Sequence, residues 1–102
     1  MKFRTTSSFE GDYGRLSDRE RQLFRDALRD FVPACDRYAE DPATKWPASL
    51  RVRDVEGAPG IWEMTWSFAG PDGRATFEFV QIDGSLGVQW RRIGGHAVLN
   101  KP

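Results

Sequence analysis

Arginine marks the positions of this sequence best suited to binding a charged substrate. The candidates outside the predicted helices are Arg51, Arg53, Arg74, Arg91 and Arg92. A guanidinium group keeps its charge and offers paired donors to planar anions such as phosphate. The single histidine, His96, is a side chain able to transfer a proton. Arginine for charge stabilisation with one proton-transfer group is the minimum set for cleaving RNA by attack of its own 2′-hydroxyl, and the residues predict this chemistry.

Glu63 is the acidic residue expected to share a sheet face with these arginines. It alternates with Trp62 and Met64, so it points to the other side of its predicted strand. It is either a base or an ion-pair partner of Arg51 or Arg74, and we favour the ion pair. A simpler interpretation of the whole set stays open, because charged residues on exposed strands often serve only to keep a sheet soluble. A lone histidine is likewise most often an ordinary surface residue.

The N-terminal part of the chain predicts two short elements. Residues 2–6 have the composition of a short strand. Residues 9–16 are predicted to form a short helix that Ser7 and Ser8 cap.

A longer amphipathic helix follows. Ser17 and Glu20 form a capping box, in which each side chain reaches the backbone amide of the other residue. Helical spacing relates the apolar residues Leu23, Phe24, Ala27, Leu28 and Phe31. Pro33 removes a donor and disfavours helix at Val32, so the helix is expected to end there, with a further turn over residues 34–39.

The C-terminal part shows a period of two, which predicts strands. The first strand has Leu50 and Val52 on one face and Arg51 and Arg53 on the other. In three later strands the alternating sets are Trp62, Met64, Trp66 and Phe68; Ala75, Phe77 and Phe79; and Val88, Trp90 and Arg92. The four arginines Arg51, Arg53, Arg74 and Arg92 are expected to lie on one face of the sheet. Turns are predicted at residues 57–60, 70–73 and 83–84.

Together these elements predict an α+β fold, in which an N-terminal strand and two helices pack on a C-terminal antiparallel β-meander. The apolar stripe of residues 23–31 is the expected cover of the sheet. Trp46, in a proline-bounded loop, is the aromatic residue expected to be exposed. Cys35 is expected to be buried near the end of the helix.

Composition excludes several classes of protein. The 102 residues suit one domain over 1–102, and 15 Lys/Arg balance 15 Asp/Glu. Zero net charge argues against indiscriminate coating of nucleic acid and leaves room for a small positive groove. No apolar run approaches the roughly 18 residues of a membrane span, and residues 1–6 lack the apolar region of a secretory signal, so a cytoplasmic protein is expected. With one Cys and one His, we predict no disulfide, metal site or cofactor.

The order of the predicted elements resembles the RelE/ParE toxin superfamily of type II toxin–antitoxin systems, most of all its HigB-like and phage-derived members. The segments that carry the resemblance are residues 50–52, 60–66, 72–79 and 90–96. The resemblance covers nearly the whole chain in element order. It implies a RelE/ParE-like fold and a cognate antitoxin that wraps the toxin and blocks its basic groove.

The resemblance also implies roles for single residues. Arg74 matches the arginine that opens the strand after the central hairpin and helps to stabilise the scissile phosphate. Arg51 matches the basic position of the preceding strand, with Arg53 beside it, and Arg92 matches that of the last strand. His96 falls where many members place a Tyr or His that acts in proton transfer.

The resulting prediction is a toxin that cleaves mRNA at the ribosome, leaving a 2′,3′-cyclic phosphate, with an antitoxin, mRNA and the ribosome as partners and no membrane or metal. Arg74, His96 and Arg92 are the predicted catalytic residues. The predicted substrate-binding residues are Arg51, Arg53, Arg91 and Glu63. Arginine is a poor base, so His96 or Glu63 must transfer the proton. Two alternatives stay open: a ParE-like inhibitor of DNA gyrase without RNA cleavage, and a non-toxic binding module on the same fold.

Overall fold

The computed structural model describes residues 1–67 and 72–102. Its strands and helices, in chain order, are β1 (Lys2–Thr5), α1 (Ser7–Arg15), α2 (Asp18–Glu40), a 3₁₀ helix (Ala48–Leu50), β2 (Arg53–Asp54), β3 (Trp62–Ser67), β4 (Gly73–Ile82), β5 (Ser85–Gly94) and a second 3₁₀ helix (His96–Asn100). Phe68, Gly70 and Pro71, which the sequence placed in a strand and the following turn, lie outside the described residues.

The strands form one five-stranded sheet in the order β1-β5-β4-β3-β2. β2 to β5 pair antiparallel as consecutive neighbours, and the predicted meander is confirmed. β1 lies parallel to β5, with Lys2 opposite Gly87 and Thr5 opposite Trp90. The helices therefore lie in the connection between β1 and the meander, and the predicted α+β fold is confirmed.

Both helices begin at side-chain caps. The Ser17–Glu20 capping box of α2 is present, with Ser17 Oγ accepting from the Glu20 amide at 3.1 Å and Glu20 Oε1 accepting from the Ser17 amide at 2.8 Å. α1 begins earlier than predicted, because its cap is Thr6 rather than Ser7 or Ser8. The Thr6 hydroxyl accepts from the Phe9 amide at 3.1 Å.

The expected break at Pro33 is wrong, since α2 continues through it to Glu40. Pro33 is exposed, and because proline has no backbone N–H, one backbone hydrogen bond is missing on the solvent-exposed side of the helix. Phe31 and Cys35 are 0% exposed on the other side and Ala34 is 3% exposed. Their burial against the sheet holds the helix together across the missing bond.

An aromatic core joins α2 to the sheet. Phe31 packs at 5.1 Å, between ring centroids, from Phe77 and at 5.0 Å from Trp90. Trp46 is half-buried rather than exposed, because its ring stacks on Phe31 at 5.8 Å and on Tyr38 at 5.2 Å. The loop after α2 thus closes the end of the core.

A β-bulge changes which residues of β5 face the core. Trp90 is opposite Phe77 but Arg92 is opposite Thr76, so Arg91 is an extra residue in the ladder. Past the bulge Ile93, 2% exposed, joins Trp90 in the core. The predicted uninterrupted alternation of Val88, Trp90 and Arg92 is therefore wrong.

The strand predicted around residues 50–53 is also wrong. Leu50 ends a 3₁₀ helix, and Arg51 has a left-handed backbone with φ of 45°. β2 begins only at Arg53, so Arg51 and Arg53 do not share a strand face. The turn at Asp83-Gly84 is confirmed, and both residues have positive φ, of 52° and 79°, as the tight hairpin turn requires.

Candidate functional site

The sheet face away from the helices carries a row of polar side chains, here called the polar face: Arg53, Glu63, Thr65, Arg74 and Thr76. Residues paired across neighbouring strands lie on one face. Glu63 is paired with Arg53 on one side and with Thr76 on the other. Thr65 is paired with Arg74. The central strands β3 and β4 therefore place these groups side by side.

Glu63 joins two arginines of the polar face. Its Oε1 accepts from Arg53 Nε at 3.1 Å and lies 3.6 Å from Arg74 Nε. Arg74 also pairs with Asp72 at 3.4 Å. The side chains of Glu63 and Arg74 are both 5% exposed, whereas that of Arg53 is 58% exposed. The ion pair expected between Glu63 and Arg74 is present. The other arginine paired with Glu63 is Arg53, whereas the sequence offered Arg51 as the alternative partner.

His96 lies at the rim of a hollow that opens beside this cluster. The hollow has a volume of about 420 Å³, and its lining includes Arg53, Glu63, His96 and Leu99. Arg74 forms the buried side of the same cluster through its contact with Glu63. Arg53, Glu63 and His96 thus line one hollow and Arg74 contacts Glu63 behind it, although these four predicted site residues span 44 positions of sequence from 53 to 96.

Residues 96–102, here called the C-terminal segment, turn back over the polar face. Val98 is 8% exposed, and a Cβ built on Gly94 would lie 3.0 Å from its Cγ1. The second 3₁₀ helix packs against β4 and β5. Beyond it, Arg92 Nη1 donates to the Lys101 carbonyl at 3.3 Å, and Arg91 Nε donates to the Pro102 carbonyl at 3.0 Å.

Arg92, predicted to be catalytic, is held by α1 instead. Its Nε and Nη2 donate to the two carboxylate oxygens of Asp12 at 2.6 and 3.1 Å, and the Ile93 amide donates to Asp12 at 3.2 Å. Burial raises the pKa of Asp12, but the hydrogen bonds from Arg92 and Ile93 and the charges of Arg92 and Arg15 outweigh it, and the pKa lies below its usual value. The bond to Asp12 raises the pKa of Arg92.

Arg91, predicted to bind substrate, pairs with Glu78 at 2.7 Å. Burial raises the pKa of Glu78, but hydrogen bonds from Arg91 and Gln89 and the charges of Arg91 and Arg4 bring it below its usual value. Arg91 and Arg92 line a separate hollow of about 540 Å³ with Lys101 and Pro102.

The predicted arginines therefore do not converge on one groove. Arg53 and Arg74 gather around Glu63, while Arg91 and Arg92 line the other hollow. Arg51 is exposed after the first 3₁₀ helix and is not among the residues that line either hollow. Arg92 is opposite Thr76 in the sheet, and its guanidinium pairs with Asp12 of α1 rather than with Glu63.

Sequence reasoning missed three residues of this region. Thr65 and Thr76 are 1% and 0% exposed on the polar face, and their positions in the strand alternation opposite the apolar residues were the available signal. Asp12 is 5% exposed in α1. No local pattern marked it, because its partners lie about 80 positions away.

Within residues 1–67 and 72–102 there is no group of three or more His, Cys, Asp or Glu side chains suited to holding a metal ion. No helix in those two ranges is long and apolar enough to cross a membrane.

Comparison with known proteins identifies the fold. No protein-family model matches the sequence, and no curated protein matches it significantly. Among solved structures, the chain is similar to a YoeB/ParE toxin from Agrobacterium tumefaciens, with a TM-score of 0.61 and 16% sequence identity, over 94% of this chain and 99% of that one. The resemblance drawn from element order is thus confirmed for the fold, which is that of the RelE/ParE toxins. The HigB-like and phage-derived branch stays a prediction.

Proposed function

We propose that this chain is the toxin of a type II toxin–antitoxin system and cleaves mRNA at the ribosome. The observation that carries the proposal is the cluster of Arg53, Glu63, Arg74 and His96 on the polar face of a RelE/ParE toxin fold. Charge-stabilising arginines beside a carboxylate and an imidazole are the groups that cleavage by the 2′-hydroxyl requires. A cognate antitoxin would hold the toxin inactive by covering this face.

The cluster divides the chemistry among its members. The Glu63 carboxylate takes the proton of the 2′-hydroxyl, whose oxygen attacks phosphorus. The 5′-oxygen leaves with a proton from His96, giving a 2′,3′-cyclic phosphate and a free 5′-hydroxyl. Arg74 and Arg53 stabilise the negative charge that develops on the phosphate oxygens. Arg92 has no part in this scheme because Asp12 holds it.

A cleavage assay on purified ribosomes with bound mRNA tests these roles. We expect His96→Ala and Arg74→Lys to slow cleavage by at least roughly a hundredfold, the usual contribution of a general acid or an oxyanion donor. The Lys variant keeps the charge at a buried position and so is expected to fold, which thermal unfolding checks. Arg29→Ala is the matched control, because that arginine is 79% exposed on α2. Cleavage that is absent in the native protein, or that is unchanged in both variants, contradicts the proposal.

Induced expression tests the toxin assignment separately from the chemistry. We expect growth arrest on expression of the chain and recovery when the product of the neighbouring gene is expressed with it. Unimpaired growth contradicts the assignment.

A gyrase inhibitor or a non-toxic binding module is the second candidate, and one observation favours it. Arg74 is buried and paired with two carboxylates, Glu63 and Asp72, and Arg53 is also paired with Glu63. On this alternative the polar cluster only holds the sheet together. Growth arrest that persists in His96→Ala, with inhibition of gyrase supercoiling, supports the gyrase inhibitor over RNA cleavage, whereas unimpaired growth supports the non-toxic module.

A further inference from the structure

The hollow beside the catalytic cluster is poorly suited to attracting an RNA strand by its charge. Three of the residues that line it are acidic, Asp54, Glu56 and Glu63, and one is an arginine, Arg53. Acidic groups outnumber arginines even when Arg74, which contacts Glu63 from behind, is included. RNA carries one negative charge per phosphate, and binding to it depends largely on cations. The affinity for RNA must therefore come from another part of the surface.

The hollow of about 540 Å³, here called the basic hollow, has the opposite charge. Three of the residues that line it are cations, Arg91, Arg92 and Lys101, and none of the described lining residues is acidic. Its volume lies within the usual range for ligand pockets. A negatively charged group is the ligand that such a lining favours.

Lys101 carries the charge of the basic hollow that is not compensated within the chain. Arg91 and Arg92 each have a carboxylate partner. The Lys101 side chain is exposed, and within the described residues its ammonium group pairs with no carboxylate. Arg91 donates through Nε and Nη1 to neighbouring groups at 3.0 and 2.7 Å, which leaves Nη2 as a further donor. Lys101 and Arg91 Nη2 are therefore the donors open to a ligand.

The two hollows are lined by the same two elements. The loop between β2 and β3 contributes Glu56 to the hollow beside the cluster and Ala58 to the basic hollow. The C-terminal segment contributes His96 to the first and Lys101 to the second. A single RNA strand that lies in the first hollow therefore extends towards the second.

We propose that the basic hollow is a second RNA subsite, which holds a phosphodiester of the bound strand that is not cleaved. Lys101 and Arg91 donate to its oxygens, so the basic hollow supplies affinity while the cluster supplies the chemistry. This inference rests on the proposed function. Because the contact is the same before and during cleavage, it lowers KM and leaves kcat unchanged.

Binding of a 2′-O-methyl RNA oligonucleotide, which cannot be cleaved, tests the subsite. We expect Lys101→Gln to weaken binding roughly fivefold and to reduce the slope of log Kd against log salt by about 0.7, the value for one phosphate of a single strand. Lys45→Gln is the matched control, because Lys45 is also exposed and lines neither hollow. Thermal unfolding checks that both variants fold. Equal binding by the two variants overturns the subsite.

Oligonucleotides with one neutral methylphosphonate linkage locate the phosphate. We expect at least one linkage whose neutralisation weakens binding to the native chain roughly fivefold but has no further effect in Lys101→Gln, since both changes remove the same contact. If no linkage shows this behaviour, the subsite is overturned. Inorganic phosphate should displace the oligonucleotide no better than chloride at the same ionic strength. Specific displacement by phosphate indicates a site for the free ion and overturns the assignment to RNA.

Cleavage kinetics separate this inference from the proposed function. In the ribosome assay we expect Lys101→Gln to raise KM roughly fivefold and to leave kcat within about twofold of the native value. Cleavage with an unchanged KM overturns the subsite and leaves the proposed function standing. If the oligonucleotide binds as expected but mRNA stays intact, the subsite is supported and the proposed cleavage fails.

Discussion

Replacing Asp12 tests how α1 is fixed to the end of β5. The carboxylate is 5% exposed and accepts from Arg92 Nε, Arg92 Nη2, the Ile93 amide and Arg15. Asp12→Ala removes a charge-assisted pair and leaves the Ile93 amide unpaired at the bulge. Arg15 is 73% exposed, so its bond adds little.

These interactions determine how much stability Asp12→Ala is expected to lose. Loss of the Arg92 pair and an unpaired buried amide together cost about 3 kcal/mol, with Arg92 partly rehydrated because it is 28% exposed. Asp12→Asn keeps an acceptor for the Ile93 amide but loses the charge, and about half the cost is expected. Asp26→Ala is the control, because Asp26 is 48% exposed on α2 and should cost under about 0.5 kcal/mol.

The stability that Asp12 contributes should decrease at low pH. The pKa of Asp12 is lowered in the folded state from its ordinary value of 3.8, so the unfolded chain binds the proton more readily. The stabilisation by Asp12 is therefore fully present above pH 3.8 and is lost as pH falls through the folded pKa. The difference between the native chain and Asp12→Asn should accordingly narrow below pH 3.8.

Urea unfolding, followed by the fluorescence of the four tryptophans, measures these differences at pH 7 and in steps below pH 5. A cost of Asp12→Ala equal to that of Asp26→Ala refutes the structural reasoning. A difference between the native chain and Asp12→Asn that stays constant down to pH 2.5 refutes the pKa argument.

Two further predictions concern packing. Gly14→Ala should stabilise the chain by about 0.5–1 kcal/mol, because a Cβ added at this position of α1 meets nothing within 4 Å. Gly73→Ala should destabilise the chain by about 1–3 kcal/mol, because its Cβ would lie 2.5 Å from the Trp66 ring. Urea unfolding of both variants checks that the free energy of unfolding rises in the first and falls in the second. Burial and the charge of Asp36 raise the pKa of the Cys35 thiol to about 12, so iodoacetamide should leave Cys35 unmodified at pH 9 until urea unfolds the chain, and rapid modification in the native state contradicts its burial.

Local signals predicted the elements that local chemistry determines. The Ser17–Glu20 box and the Asp83-Gly84 turn involve residues within a few positions of each other, and both are present. Pro33 failed as a helix breaker because burial of Phe31 and Cys35, which depends on the distant sheet, outweighs one lost bond. Local sequence preference thus determined where α2 begins and where the β4–β5 turn lies, whereas packing against the sheet determined that α2 continues through Pro33.

Site prediction depended on the assumption that strands alternate without interruption. That assumption held over residues 63–65 of β3 and 74–76 of β4, where Glu63 and Arg74 meet, although the register of β3 shifts between Thr65 and Ser67. It failed at the extra residue Arg91 in β5, beyond which Arg92 is opposite Thr76 and its guanidinium pairs with Asp12 of α1. A bulge depends on pairing between strands, so one strand's own sequence does not reveal it.

The parallel pairing of β1 with β5 has a consequence for the order of folding. Lys2 is opposite Gly87 and Thr5 is opposite Trp90, so β1 has no neighbour in the sheet until β5 has been synthesised. Contacts of such long sequence separation form late and close a large loop. A nascent chain therefore emerges from the ribosome with its sheet incomplete, and the polar cluster is assembled only when synthesis of the strands is finished.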